Sequence, residues 1–469
     1  MPTRIERMSA IELLSRYRRK TLSPVEATKA VLAQIDRLNP TYNAYCLVDH
    51  AAALKSARAS EKRWMRGKPV GPLDGVPVGL KDLMLTKGWP TLRGSKAIDP
   101  NQAWDEDAPS TDRLREAGAV FLGKTTTPEF GWKGVTDSVL TGVTRNPWDK
   151  SKTPGGSSGG ASAALAAFMG PLMTGSDGGG SIRIPAAFTG VYGIKGSFGR
   201  VPAYPASPFG TVSHIGPMTR TVADSALMLQ VMAQPDWRDW YQLESTGVDY
   251  TKGLNKGVKG LKIGYSPDLG YAKVDPEVAK AIADGAKLFQ RLGAKVEEVD
   301  PSGGTSVFKD SHETFQAHWF AGAANLLSRY SAKQRSQMDS GLQAAAEGGA
   351  KYSLLEYMAA VKRREDLGTQ MNKFHETYDL LLTPAMPIAA FEAGIEVPKG
   401  SGLTRWTEWT PFSYPFNLTR QPAASIPCGF TRAGLPIGLQ LVGPLYGEAV
   451  VLRASRAFEE ARPFAMPDL

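Results

Sequence analysis

The sequence predicts an α/β protein, in which helices cover the faces of a β-sheet. Short apolar strands alternate with amphipathic helices along the chain, as they do where helices pack on a sheet. Hydrophobic residues make up 42% of the chain, an ordinary proportion for a folded domain that excludes wholesale disorder. No apolar run approaches the roughly 18 residues of a membrane-spanning helix, so no membrane partner is expected.

The first helix is predicted from a capping box. Ser23 is the N-cap, Pro24 takes the first helical position, and Glu26 stands three residues after the cap. Apolar residues then follow at helical spacing: Ala27, Val31, Ile35 and Leu38. The Asn39-Pro40 pair is predicted to end this helix. A second helix is predicted over about 50–66.

Strands and helices alternate along the rest of the chain. Strands are predicted at 76–80, 119–122, 261–265, 294–299, 380–384 and 437–442. Helices are predicted at 110–117, 222–232, 277–292 and about 447–461. The polar segment 233–258 is interpreted as a surface excursion. No strong linker divides the chain, so we expect a single domain over residues 1–469, with a helical insertion at about 305–377.

Charge and metal-binding residue types argue against several classes of function. The 55 basic and 46 acidic residues give a net charge of +9, spread without a long basic run, so no nucleic-acid partner is expected. Cys46 and Cys428 form no CxxC pair, and the five histidines show no metal-binding spacing. We therefore expect no cofactor and no metal. Isolated cysteines and an N-terminus (1–7) without a signal-peptide core favour the cytoplasm.

Glycine is concentrated in one part of the chain. Residues 155–196 contain 12 of the 49 glycines, nearly three times the chain average. Ser157 and Ser181 both lie in this block and are framed by glycines. Glycines let the backbone approach a ligand closely, and successive N–H groups in such a loop can hold an anion. The block therefore indicates a loop that either binds phosphate or stabilises an oxyanion.

Two functions suggested by short motifs fit the block poorly. Phosphate binding would require a lysine at P-loop spacing or a G-x-G-x-x-G after a strand, and neither is present. The stretch around Ser157 matches G-x-S-x-G, the nucleophile elbow of α/β-hydrolases, which should follow a buried strand. Here the polar segment 148–154 precedes it, and no downstream histidine stands in a convincing triad context. We interpret this match as accidental.

The same block resembles the signature of a known family. GGSSGG at 155–160 and GSDGGGSIRIP at 175–185 are similar to the two halves of the amidase signature. Further similar segments are GPLDGVPVGLKD at 71–82, GKTTTPEF at 123–130, RNPW at 145–148 and GLPIGLQ at 434–440. The resemblance covers most of 20–230 and 378–460, with the signature core at about 70–200. It implies a mixed β-sheet core flanked by helices on both faces.

The resemblance implies a catalytic role for three residues. Ser181 corresponds to the nucleophile, Ser157 to a bridging serine that follows a cis peptide bond, and Lys81 to the base. The chemistry is physically reasonable, because a serine hydroxyl is a poor nucleophile until a base takes its proton. A lysine can be that base only as the neutral amine, and burial beside Val78 and Leu80 would lower its pKa.

The glycines before the nucleophile correspond to the oxyanion hole. Gly178, Gly179 and Gly180 would supply backbone N–H groups to the tetrahedral intermediate, each such donor being worth about 3–4 kcal/mol. The family commonly has a larger residue, such as threonine or isoleucine, at the position of Gly178. We expect Asp177 and Arg183 to brace this loop rather than to react.

Substrate choice is expected to depend on more variable segments. Phe130, Gly131 and Trp132 fall where the family's acyl pocket begins, although a plain core role for Phe130 is an alternative. Lys124 and Lys195 are interpreted as structural. Many aromatic and apolar residues stand in the variable segments: Tyr204, Phe209, Trp319, Phe320, Met386, Trp406, Trp409, Phe412, Tyr414 and Phe416. They favour an apolar or aromatic substrate.

The resemblance implies hydrolysis of carboxamide C–N bonds through a serine acyl-enzyme. The expected substrates are small-molecule amides, anilides or carbamates, as in bacterial aryl-acylamidase and urethanase-type members. One alternative is the amidase component of a tRNA-dependent amidotransferase, which shares the core motifs. Another is an inactive amidase-like binding module, against which the intact Lys81, Ser157 and Ser181 argue. We expect a monomer or a homodimer.

Overall fold

A long mixed β-sheet forms the centre of the molecule. The computed structural model describes residues 4–245 and 247–469, so residues 1–3 of the segment assessed for a signal peptide lie outside the described residues. Within these ranges the strands are β1 (Tyr45–Val48), β2 (Pro77–Lys81), β3 (Val120–Thr125), β4 (Asp137–Ser138), β5 (Gly142–Val143), β6 (Leu172–Asp177), β7 (Tyr192–Lys195), β8 (His214–Thr219), β9 (Lys262–Tyr265), β10 (Lys295–Glu298), β11 (Leu380–Pro384), β12 (Ala423–Phe430) and β13 (Pro436–Val442).

Eleven of these strands form one sheet, in the order β1-β3-β2-β6-β8-β7-β12-β13-β11-β9-β10, and β4 pairs with β5 alone. Strands β3, β2 and β6 are mutually parallel neighbours, as are β11, β9 and β10, while the pairs between β6 and β11 are antiparallel. The expected mixed α/β fold is therefore confirmed.

The helices account for most of the remaining regular structure. Within the same described ranges they are α1 (Ala10–Arg18), α2 (Pro24–Tyr42), α3 (His50–Met65), α4 (Pro109–Glu116), α5 (Gly159–Ala166), α6 (Arg183–Thr189), α7 (Val222–Met232), α8 (Pro276–Arg291), α9 (Ser311–Leu327), α10 (Ala332–Arg335), α11 (Ser340–Gly349), α12 (Leu354–Phe374), α13 (Pro415–Leu418) and α14 (Glu448–Ala461). Helices α9 to α12 lie within 305–377, which is mostly helical as expected. Among the described residues, no helix combines the length and apolar composition needed to cross a membrane.

The sheet is covered on both faces. Side chains of a strand point alternately to opposite sides, and in β11 Leu380 and Leu382 pack in one apolar cluster while Leu381 packs in another. In β3, Phe121 belongs to the first of these clusters, whereas its neighbour Leu122 belongs to a third. One face of the sheet is therefore covered by a single continuous apolar cluster, and the opposite face is covered by two separate apolar clusters.

One predicted boundary is wrong. Helix α2 does not end at Asn39-Pro40 but continues to Tyr42. Pro40 lies in the last turn, where its missing N–H removes only one hydrogen bond and no further turn has to follow. The helix ends instead at Asn43, whose left-handed backbone (φ 50°) and N–H bond to the Asn39 carbonyl, at 2.8 Å, close the C-terminus.

Candidate active site

The two parallel strands β2 and β6 bring the predicted site residues to one edge of the sheet. Lys81 is the last residue of β2, and the loop that carries Ser181 follows the end of β6. Adjacent parallel strands end at the same edge, which is why two segments about 100 residues apart meet here. Ser157 lies two residues before the start of α5, and its peptide bond with Gly156 is cis, as the resemblance implies.

The Lys81 amine lies among three serine hydroxyls. Its Nζ is 2.7 Å from Ser157 Oγ and 2.9 Å from the Oγ atoms of Ser158 and Ser176. The side chain is 0% exposed, and this burial lowers the pKa of Lys81 well below its ordinary value, against the opposing effect of the nearby Asp177 carboxylate. The site therefore favours an uncharged amine in hydrogen-bonding contact with Ser157.

Ser181 borders the same site without a side-chain bond of its own. It is 3% exposed and its carbonyl accepts the Ser158 N–H at 3.1 Å. Across residues 4–245 and 247–469, its Oγ makes no hydrogen bond, either to Ser157 or to another group. The structure thus joins Lys81 to Ser157, and it places Ser181 beside them with a free hydroxyl.

The loop of residues 178–181 that follows β6, here called the glycine loop, has backbone donors available at three positions. The N–H groups of Gly178, Gly179 and Ser181 have no acceptor among the described residues. The N–H of Gly180 donates to Asp177 Oδ1 at 2.7 Å. This N–H is therefore already engaged in the structure, and the place of Gly180 among the oxyanion donors stays a prediction. At Gly180 the backbone φ of +121° explains the glycine.

A buried ion pair holds this loop, as expected for Asp177 and Arg183. Two guanidinium nitrogens of Arg183 donate to the two carboxylate oxygens of Asp177 at 2.9 Å, and both side chains are 0% exposed. Burial alone would raise the pKa of Asp177, but the Arg183 guanidinium holds it well below its usual range. The remaining donors of Arg183 bond to Ser413, Asn417 and Gln440.

A cavity of about 100 Å³ opens beside Ser157 and Ser181. Phe130 and Gly131 line it, as predicted, together with further apolar side chains: Leu83, Met84, Tyr204, Phe209, Ile215 and Trp319. Trp132 is not among the residues that line this cavity, and a substrate-binding role for it stays a prediction. Its indole is buried in the core, and its carbonyl accepts the indole N–H of Trp319 at 2.9 Å.

Comparison with known proteins gives the family. A family model described as Amidase matches residues 26–452. This chain belongs to the amidase signature family. It is 38% identical over 467 residues to an acylamidase of Rhodococcus erythropolis, covering 98% of this chain and 96% of that relative. The chain is accordingly an amide-hydrolysing enzyme.

Other relatives of this amidase differ in their named function. It is 36% identical over 482 residues to one component of the glutamyl-tRNA(Gln) amidotransferase of Myxococcus xanthus, covering 97% of this chain and 98% of the relative. Its structure resembles that of a bacterial aryl acylamidase of the amidase signature family, with a TM-score of 0.90 and 32% identity. That match covers 97% of this chain and 96% of the other.

Two further lysines of the amidase are buried in separate surroundings. Lys124 Nζ donates to the Met84 carbonyl and to the hydroxyls of Thr86 and Thr91, and burial lowers its pKa to about 8. Lys195 Nζ donates to the Gln421 carbonyl. Neither contacts Ser157 or Ser181, in agreement with the structural roles expected for both.

Three residues of the site were not predicted from the sequence. Ser158 and Ser176 share the Lys81 amine with Ser157, and Arg93 lines the cavity. The adjacent serines at 157 and 158 were a visible signal, since both follow the same glycine pair. Arg93 had none, because a single arginine in a loop has the sequence appearance of a surface residue.

Proposed function

We propose that this amidase cleaves carboxamides through an acyl-enzyme on Ser181, with Lys81 as the base and Ser157 as the proton relay. The observation that carries the proposal is the 2.7 Å contact of a buried, low-pKa Lys81 amine with Ser157 Oγ. A neutral amine has one lone pair and two N–H groups. It can therefore accept the Ser157 proton while donating to Ser158 and Ser176, both 2.9 Å away.

In the first step, Ser181 Oγ attacks the carbonyl carbon and the C=O π pair moves to oxygen. The Ser181 proton passes to Ser157, whose own proton passes to Lys81. This requires a hydrogen bond from Ser181 to Ser157, which we expect to form when substrate is bound, because such contacts often tighten only in the complex. The free N–H groups of Gly178, Gly179 and Ser181 are suited to the resulting oxyanion.

In the second step, the tetrahedral intermediate collapses and the C–N bond breaks. The proton held by Lys81 returns through Ser157 to the leaving nitrogen, so that a neutral amine departs. Water then attacks the acyl carbon and gives its proton through Ser157 to Lys81. When this second intermediate collapses, the bond from the acyl carbon to Ser181 Oγ breaks, the same proton returns through Ser157 to Ser181 Oγ, and the acid is released. The relay therefore runs twice in each direction during a turnover, and Lys81 ends each turnover as the free amine.

The cavity walls support an apolar or aromatic substrate. Phe209 and Trp319 stack with ring centroids 3.8 Å apart, and Phe130 stands among the other lining residues. Flat apolar walls favour flat apolar groups, because both lose contact with water on binding. We therefore propose amides, anilides or carbamates with an aromatic or small apolar group as substrates.

A substrate panel tests the reaction and the residues together. We expect turnover of p-nitroacetanilide or a nitrophenyl carbamate, and loss of at least about a thousandfold in kcat for Ser181→Ala. Ser157→Ala and Lys81→Met should each cause a large loss while the fold is retained, as judged by circular dichroism. Turnover of only small charged amides, or full activity of Ser181→Ala, would contradict the proposal.

The amidotransferase relatives support one second candidate. Because the Myxococcus relative matches over nearly its full length, this chain could instead serve as the glutamine-hydrolysing component of such a complex. Glutaminase activity together with co-purification of a second protein chain would favour that function over hydrolysis of free amides. A fluorophosphonate probe that labels wild type but not Ser181→Ala would exclude an inactive binding module.

A further inference from the structure

Arg93 is the charged residue of the catalytic cavity. Among the residues that line this cavity in the described part of the chain, the others are apolar, hydroxyl-bearing or glycine. The Arg93 backbone is fixed by its carbonyl, which accepts the Phe130 N–H at 2.8 Å, and it has a left-handed φ of 54°. A full positive charge is therefore held at the wall of an otherwise uncharged substrate site.

The guanidinium of Arg93 has no partner in the protein. Within residues 4–245 and 247–469, its side chain makes no hydrogen bond and no ion pair. Arg183, by contrast, uses its donors on a carboxylate, two amides and a carbonyl. Asp82, the carboxylate that acts electrostatically on Arg93, pairs with Lys124 instead, at 4.0 Å. The Arg93 donors are thus left for a group that enters the cavity.

The partial burial of Arg93 makes its unpaired guanidinium significant. The surroundings lower the pKa of Arg93, chiefly by desolvation, which Asp82 and Tyr330 oppose and Arg329 reinforces. Arg93 is only partly exposed, so its guanidinium is less hydrated than that of a surface arginine and gains from pairing with an anion. The planar guanidinium presents donors in a fork that matches the two oxygens of a carboxylate. A bound carboxylate would satisfy both the charge and the donors.

We propose that Arg93 binds a carboxylate carried by the substrate, so that the preferred substrate is an aromatic or apolar amide with one anionic end. The proposal rests on the hydrolytic function proposed above and narrows its substrate class. The aromatic walls hold the apolar part, Ser181 meets the carbonyl, and Arg93 fixes the far end. Arg93 acts here as a specificity residue and takes no part in proton transfer.

Paired substrates that differ only in charge test the proposal. We would compare kcat/KM for 4-acetamidobenzoate with that for its neutral analogue 4-acetamidobenzamide. For Arg93→Met we expect the ratio of kcat/KM for the acid to kcat/KM for the amide to fall by about 30-fold or more, mainly through a higher KM for the acid. Arg93→Lys keeps the charge but not the fork, and should recover part of the ratio.

Arg329→Met is the matched control. Arg329 is an exposed arginine that interacts with Arg93 electrostatically but does not line the cavity. This variant removes the same charge from the same region, so a general field effect would lower the ratio in both variants. An equal fall in the two variants, or an unchanged ratio in Arg93→Met, overturns the proposal.

A binding measurement separates this proposal from the hydrolytic function. Benzoate should raise the unfolding midpoint of wild type and Arg329→Met more than benzamide does, and this difference should vanish in Arg93→Met. That result would support the anion site even if no amide were turned over. Equal effects of benzoate and benzamide on wild type, in an enzyme that a fluorophosphonate labels at Ser181, would overturn the anion site and leave the hydrolase intact.

Discussion

The Trp319 indole occupies the space that a side chain at position 178 would fill. A Cβ atom on Gly178 would lie 2.6 Å from Trp319 Cζ3, closer than carbon atoms approach without displacement. The Gly178 backbone has no positive φ, so packing rather than conformation requires glycine there. The indole is held by its stacking on Phe209 and by its bond to the Trp132 carbonyl. This explains why the chain departs from the larger residue common at this position.

This relationship predicts how Gly178 and Trp319 are coupled. Gly178→Ala should destabilise the protein by about 1–3 kcal/mol through overpacking and lower kcat/KM, because the loop that offers the free N–H groups must shift. In the Trp319→Leu background the added methyl group has space. Gly178→Ala should therefore cost about 0.5–3 kcal/mol less stability in the Trp319→Leu background than in wild type. Urea denaturation of the four proteins measures this coupling.

Trp409→Leu supplies the control for that cycle. Trp409 is also buried, also donates its indole N–H to a carbonyl, that of Glu396 at 3.0 Å, and also packs on a glycine, Gly134. It does not line the cavity. Gly178→Ala and Trp409→Leu should be additive, and coupling of similar size in both backgrounds would refute the packing explanation.

The buried amine predicts a pH dependence of stability. Because the fold lowers the pKa of Lys81, the unfolded chain binds one proton more than the native state between that pKa and about 10.4. The free energy of unfolding of wild type, minus that of Lys81→Met, should therefore rise with pH by at most about 1.4 kcal/mol per pH unit. Denaturant unfolding of both proteins at pH 7, 8 and 9 measures this difference in the free energy of unfolding. The contributions of the other titrating groups cancel, because both proteins contain them. A difference that is constant with pH would mean that Lys81 is charged in the fold.

Activity should depend on the same ionisation. Lys81 can accept a proton only as the free amine, so kcat/KM should fall as the pH is lowered through its folded-state pKa and should level off above it. Rates for a nitroanilide between about pH 5 and 10 check this. A flat profile, with a solvent isotope effect showing that chemistry limits the rate, would contradict the assignment of Lys81 as the base.

The ion pair behind the glycine loop predicts a large stability effect. Arg183→Met leaves the Asp177 carboxylate buried without its main partner and should cost about 3–5 kcal/mol. Lys280→Met removes an exposed pair with Asp284 and should change stability far less. Guanidinium unfolding of both variants gives the comparison, and equal small effects would show that the buried pair does not hold the loop.

The regular parts of the fold were predictable where the sequence has clear periodicity. The capping box at Ser23 marked the start of α2, and the apolar run at 380–384 matched β11. The strands β6, β7, β8 and β12 were not predicted, although they lie at the middle of the sheet. Each contains glycine, and β8 and β12 also contain proline. Both residue types weaken the sequence pattern of a strand.

The candidate site was likewise only partly predictable from the sequence. The spacing of Lys81, Ser157 and Ser181 along the chain follows no periodic pattern, and only the long signature indicated them. Ser176 and Arg93 became visible as site residues only when their distances and surroundings were known. Trp132 was predicted to be a pocket residue because the resemblance places the family's acyl pocket at 130–132, and the structure packs its side chain in the core.

By itself, the sequence determined the fold class and the family, because these depend on local periodicity and on a long run of specific residues. The same run predicts the side chains that would carry an acyl transfer. The tertiary structure decided which groups share the amine of Lys81, which backbone N–H groups are free, and why position 178 has no side chain. These are properties of contacts between segments distant along the chain, and their energies come from burial and packing that no local pattern records.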